Sequence, residues 1–176
     1  MSLLKEVVTA LRRESVPHAI IGAAALSAHG VSRSTADVDL LTTDPRCLTR
    51  SFWTPLQGRC EADIRHGDVD DPLRGVVRLS RPGDMDVDIV VGRHSWQQDC
   101  ILRAVEGVVE DTRVVTLPDL VLLKLYAGGP QDAWDVHQVL GLAGAEEAVT
   151  HIERRVTGLP ADAIRLWRKI LAERTP

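Results

Sequence analysis

Asp37 and Asp39 stand one residue apart in the run STADVDLL. A strand alternates its side chains, so the two carboxylates share one face while Val38 and Leu40 take the other. Carboxylates about 7 Å apart along a strand repel each other unless a cation lies between them, and a hard divalent ion such as Mg²⁺ or Mn²⁺ accepts oxygen donors of this kind. A third carboxylate on a neighbouring strand would complete a two-metal site for phosphate chemistry, one metal activating an attacking oxygen and the other steadying the leaving group. The run DMDVDIVV offers Asp88, flanked by Val87 and Ile89, with Asp84 and Asp86 at the same parity. Parity alone leaves Asp86 and Asp88 as rivals for that place. Alternating aspartates also serve simply to solvate an exposed strand face, so the pattern has a structural reading beside the metal one.

These residues need a sheet, and the chain has the means to build one. The 176 residues suit one domain, with 44% hydrophobic and 26% charged residues, the balance of a globular protein. Leu3, Leu4, Val7, Val8 and Leu11 fall at helical spacing, predicting an amphipathic helix over 3–14. HAII (18–21) reads as a short strand running into Gly22, after which AAALSAH has helix propensity: a strand, tight turn, helix unit. ADVDLLT is the next strand, and residues 44–58, opened by Asp44 and Pro45, are expected to be a helix. Residues 59–74 read as a short strand and a loop, and GVVRLS and MDVDIVVG as a hairpin joined by RPGD. A helix from Ser95 to about Ala104 and a short strand at Val114 and Val115 follow, then helices at about 118–127, 131–142, 145–156 and 160–173. The expected fold is α+β: residues 1–116 form a mixed sheet flanked by helices and 117–176 a helical C-terminal part packed on it, in one compact unit.

Several function classes lack their signatures. The net charge of −4 and the small aromatic set (four Trp, one Tyr, one Phe) leave no broad basic or stacking surface for nucleic acid. Cys47, Cys60 and Cys100 make no Cys-x-x-Cys pair, and no His pair has zinc-protease spacing. Ile89 and Ser95 stand where a calcium loop beginning at Asp84 needs Gly and Glu. Walker A, GxGxxG and GxSxG sequences are absent. The N-terminus has no uninterrupted apolar stretch and no run reaches membrane-spanning length, so the expectation is a cytoplasmic protein without membrane contact.

The stretch AIIGAAALSAHGVSRSTADVDLLT resembles the signature of the nucleotidyltransferase superfamily with the DNA polymerase β-like fold: strand, glycine turn, helix, loop, then Asp-x-Asp. Gly22 matches the first turn position, and Arg33 and Thr35 make the run look like the Arg-x-Thr-x-Asp-x-Asp version of AbiEii-like small nucleotidyltransferases. A second stretch, LPDLVLLKLYAGGPQDAWDVHQVL, resembles the C-terminal motif of the same proteins, with Lys124, Asp132 and Asp135 matching. Together the two cover roughly residues 18–142. Ala23 departs from the family's Gly or Ser, keeping a backbone N–H but offering no hydroxyl, and Gly129 and Gln131 replace frequent Arg and Lys.

The resemblance implies a metal-dependent enzyme that moves a nucleoside monophosphate from an NTP to an acceptor hydroxyl. Asp37, Asp39 and Asp88 would be catalytic and would hold Mg²⁺ or Mn²⁺. Gly22, Ala23, Arg33, Lys124, Asp132 and Asp135 would bind the nucleotide, with Arg33 and Lys124 neutralising triphosphate charge. Lys124 and Asp132 also admit a plainer reading, in which the lysine extends its stem along an apolar helix and the aspartate caps the next one. The implied acceptor is an RNA terminus or a protein hydroxyl, in a toxin-like role with an antitoxin partner. The alternatives are an aminoglycoside-type antibiotic nucleotidyltransferase and a catalytically weak nucleotide-binding member of a toxin–antitoxin pair.

Overall fold

The computed structural model describes residues 1–107 and 111–174. Helix α1 (Leu3–Arg13) begins at Ser2, whose hydroxyl accepts from the Lys5 N–H, and buries Leu3, Leu4, Val7, Val8 and Leu11. Strand β1 (Ala19–Ile20) leads through Gly22 into α2 (Gly22–Ala28). The other strands are β2 (Asp37–Thr42), β3 (Glu61–His66), β4 (Leu73–Ser80) and β5 (Asp86–Gly92). They form one sheet in the order β1-β2-β5-β4-β3, in which only β2 and β5 run parallel. One face carries Val38, Leu40, Val77, Leu79, Val87, Ile89 and Val91, all buried. That continuous apolar face fixes the register, because a slip of one residue would expose it.

The helices after the sheet follow the pattern of the sequence: α3 (Ser95–Arg103), α4 (Leu117–Ala127), α5 (Pro130–Leu140), α6 (Ala145–Val156) and α7 (Ala161–Glu173). Helix α4 starts at Thr116, which accepts from the Asp119 N–H, and ends at Gly128 in the left-handed region. Leu120, Val121, Leu122 and Leu125 of α4 are buried, which sets the direction of Lys124 on the same helix. Asp119, fully buried, accepts from Arg103 of α3 (3.0 and 2.8 Å), Arg155 of α6 (2.8 Å) and the Thr116 hydroxyl (2.7 Å), so one carboxylate ties three helices together.

Three expectations are corrected. Residues 44–58 form two short 3₁₀ turns, Pro45–Leu48 and Arg50–Leu56, instead of a helix. Thr49 between them is extended, Pro55 has no N–H to give, and the Trp53 indole donates to the Cys47 carbonyl (2.8 Å), closing the turns tightly. Val114 and Val115 make no strand: Val114 forms isolated bridges to Val105 and to Ile20, the latter on the free edge of β1. Asp84 does not share the Asp88 face; it lies in the β4–β5 turn, accepting from Arg81 (2.7 Å) and from the Leu3 N–H (3.3 Å). Among the described residues no helix is long and apolar enough to cross a membrane.

Candidate active site

The parallel pairing of β2 with β5 sets Asp37 beside Asp86 and Asp39 beside Asp88. In-register partners on adjacent strands point to the same face, so four carboxylates stand in a square on the face opposite the apolar one. The antiparallel pairing of β5 with β4 and of β4 with β3 extends the Asp39–Asp88 row to Arg78 and Asp63. Asp88 is buried, while Asp37, Asp39 and Asp86 are partly exposed. Burial pushes the Asp39 carboxyl up to about 6, and the neighbouring charges of Asp37 and Asp88 push it the same way. Asp37 is held by Thr35, whose hydroxyl donates to its carboxylate (2.8 Å) or to its carbonyl (2.9 Å).

Gly22 is needed where it stands. Its φ is +64°, and a Cβ there would fall 1.9 Å from Asp39 Oδ2 and 2.9 Å from Asp39 Cγ. The turn therefore packs directly on the carboxylate, with Ala23 following in the first turn of α2. Gly22→Ala should cost about 1–2 kcal/mol through the backbone alone and also displace Asp39. Chemical denaturation checks this; wild-type stability in the variant would mean that the turn relaxes freely.

Lys124 faces Asp39 across a cavity of about 390 Å³ whose walls include Gly22, Leu41, Tyr126 and Asp132. Its ammonium lies 2.9 Å from Asp132 Oδ1 and 2.7 Å from Asp135 Oδ2. Burial works to lower the Lys124 pKa, but the carboxylates of Asp135 and Asp132 outweigh it and hold the group above its ordinary value, hence charged. Asp132 also accepts from the Gly129 N–H (3.2 Å), so it caps α5 and orients the lysine at once. Asp135 is fully buried and accepts from Arg33 as well. Neither Arg33 nor Asp135 lines the cavity. Arg33, expected to neutralise triphosphate charge, is paired with Asp135, and its side chain is 24% exposed.

Sequence reasoning missed Arg78. Its guanidinium donates to both oxygens of Asp88 (2.8 and 2.6 Å) and lies 3.6 Å from Asp37 Oδ2. A signal was present: Arg78 and Asp88 are equally far from Gly83 in the hairpin turn, so antiparallel counting pairs them. Arg78 and Asp88 face a second cavity of about 390 Å³, shared with Asp63, Arg65, His66 and Asp71, and meeting the first at Pro72 and Leu73.

The donor types suit a hard divalent cation, and the like charges that raise Asp39 are those a cation would offset. As the side chains stand, however, no group of three or more His, Cys, Asp or Glu among the described residues is placed to hold a metal. Arg78 takes the place beside Asp88.

No family model and no curated protein matches the sequence. Solved structures do match in shape. The solution structure of the antibiotic-resistance factor ANT(2'')-Ia aligns with a TM-score of 0.57 at 17% identity, over 89% of this chain and 90% of that one. A putative nucleotidyltransferase from Thermotoga maritima gives 0.53 at 18% identity over 78% and 90%. One from H. pylori gives 0.50 at 15% identity over 92% and 78%. At such identities the likeness is one of fold: the chain has a nucleotidyltransferase-like α+β fold.

Proposed function

We propose that this protein transfers a nucleoside monophosphate from an NTP to an acceptor hydroxyl, releasing pyrophosphate. The observation that carries the reading is the register that puts Asp88 beside Asp39, with Asp37 one step along the same face and Lys124 across the cavity. Asp37 and Asp39, with Asp88, would hold Mg²⁺ or Mn²⁺, which when bound neutralises charge building on the transferring phosphate. Gly22 lets the backbone approach the phosphates. Asp88 accepts the proton of the acceptor hydroxyl at a carboxylate oxygen. Lys124, kept charged by Asp132 and Asp135, meets the triphosphate from α4. Leu41, Val90, Leu120 and Leu123 give the same cavity an apolar lining beside Asp39 and Lys124.

The test is label transfer from each of the four NTPs, with Mg²⁺, to RNA, protein and aminoglycoside pools. No transfer to any of them by the folded protein would reject catalysis and leave a nucleotide-binding role. Lys124→Met should weaken nucleotide binding by about 1–3 kcal/mol, the scale of a charge-assisted hydrogen bond, as read by calorimetry on the folded variant. Unchanged affinity would reassign Lys124 to holding the buried Asp135.

For the acceptor, the AbiEii-like Arg-x-Thr-x-Asp-x-Asp run favours an RNA terminus or a protein hydroxyl, with a toxin-like role and an antitoxin partner as part of the same reading. A second reading has its own support. A cavity of about 620 Å³ adjoins the first at Pro72, Tyr126 and Ala127 and is lined by Asp70, Asp71 and Asp162 beside Arg93, His94 and Tyr126, with carboxylates in excess. An acidic, aromatic recess of this kind suits a small aminohydroxyl acceptor, as the fold likeness to an antibiotic-resistance factor also suggests.

A further inference from the structure

We propose that Arg78 is an exchangeable occupant of the Asp88 carboxylate: its guanidinium and a divalent cation take Asp88 in alternation, and the displaced guanidinium moves to Asp63. The inference rests on the metal-dependent reading above and adds a residue that the reading does not need. Arg78 is a positioning residue in this scheme, since it acts through Asp88.

Three observations carry it. Arg78 makes a two-pronged contact with Asp88 and approaches Asp37, so one guanidinium stands against two of the three carboxylates that the metal would share. Such a planar contact is among the stronger side-chain interactions and does not coexist with a metal bound through the same two oxygens. Second, the contact is not locked: the Arg78 side chain is 47% exposed, against 11% for Asp88, and it borders the open cavity between β4 and the 66–73 segment. Releasing the arginine sends a charge into water or to a surface partner and leaves no buried cation. Third, a second partner is in place. Asp63 of β3 is the register neighbour of Arg78 on the side away from Asp88, 56% exposed, and already accepts from Arg65 (2.9 Å). Both ends of the swing therefore carry a carboxylate.

This arrangement partly offsets the negative charge of the site in the nucleotide-free protein without metal. The cation must compete with an intramolecular charge, so affinity for metal alone is lowered and occupancy is shifted toward conditions in which nucleotide phosphate adds to the cation's ligands.

The experiment measures Mn²⁺ binding to the nucleotide-free full chain by calorimetry and by the loss of free Mn²⁺ signal in electron paramagnetic resonance. Arg78→Gln should bind Mn²⁺ more tightly than wild type by on the order of 10-fold, because two charge-assisted hydrogen bonds no longer oppose the ion. Arg78→Lys, which keeps the charge but not the fork, should fall between them and guards against a glutamine variant that folds poorly. In nitrogen-edited spectra of wild type, the Arg78 Nε–H resonance should shift as Mg²⁺ is titrated, and Asp63→Asn should reduce that shift. Equal or weaker Mn²⁺ binding in both Arg78 variants, or an Arg78 signal unmoved at saturating Mg²⁺, would overturn the exchange while leaving the metal site standing. Binding that survives Asp37→Asn and Asp39→Asn together would instead place the ion elsewhere and remove the metal-dependent reading itself.

Discussion

Asp39→Asn is expected to slow transfer by on the order of 10³-fold while making the metal-free protein more stable above pH 6. Loss of a metal-holding carboxylate should forfeit about 4 kcal/mol of transition-state stabilisation, on the order of 10³-fold in rate. The stability effect has the opposite sign. Burial and the charges of Asp37 and Asp88 lift the Asp39 carboxyl from 3.8 to about 6 in the folded protein. As pH rises through that window the unfolded chain loses its proton first, so stability falls between the two values and stays lower above them. Asparagine has no proton to lose and escapes the penalty, a gain of about 2–3 kcal/mol at pH 8 that vanishes below pH 4. Urea melts of both proteins at the two pH values measure it. A variant less stable than wild type at pH 8 would show that Asp39 is a structural residue and would count against the metal reading.

Asp119→Ala is expected to destabilise the protein by about 3 kcal/mol, the low end for breaking a buried ion pair. Four hydrogen bonds from Arg103, Arg155 and Thr116 converge on this fully buried carboxylate. The low end applies because the arginines are 38% and 32% exposed and can turn their charge to water once it is gone. The consequence reaches function, since Asp119 anchors the start of the helix that carries Lys124. Denaturant unfolding gives the magnitude; a loss below about 1 kcal/mol would put the cluster with ordinary surface pairs. Nucleotide affinity should fall in the same variant, because α4 would lose its ties to α3 and α6.

Much of this was legible in the chain. The period-two run at 37–42, the 3.6-residue spacing of α1 and the Gly and Pro residues bounding α4 and α5 each state a local conformation in a few neighbouring residues. The region 44–58 departs from the expected helix for the same reason inverted: its two 3₁₀ turns are closed by the Trp53 indole donating to the Cys47 carbonyl, a contact that no periodicity announces.

The site divides along the same line. The sequence by itself determined that Asp37 and Asp39 share a face, that a glycine turn opens α2 and that a lysine rides an apolar helix, because strand alternation, turn chemistry and helical spacing are properties of adjacent residues. Only the tertiary structure decided that Asp88 and not Asp86 stands beside Asp39, since β2 and β5 are far apart in the chain and their register comes from burying Val38, Leu40, Val87 and Ile89 together. It also decided that Gly22 touches Asp39, that Arg33 and Lys124 meet on Asp135, and that Arg78 occupies Asp88. Each of these pairs distant residues, and which charge meets which is set by where the buried apolar faces bring the strands and helices to rest.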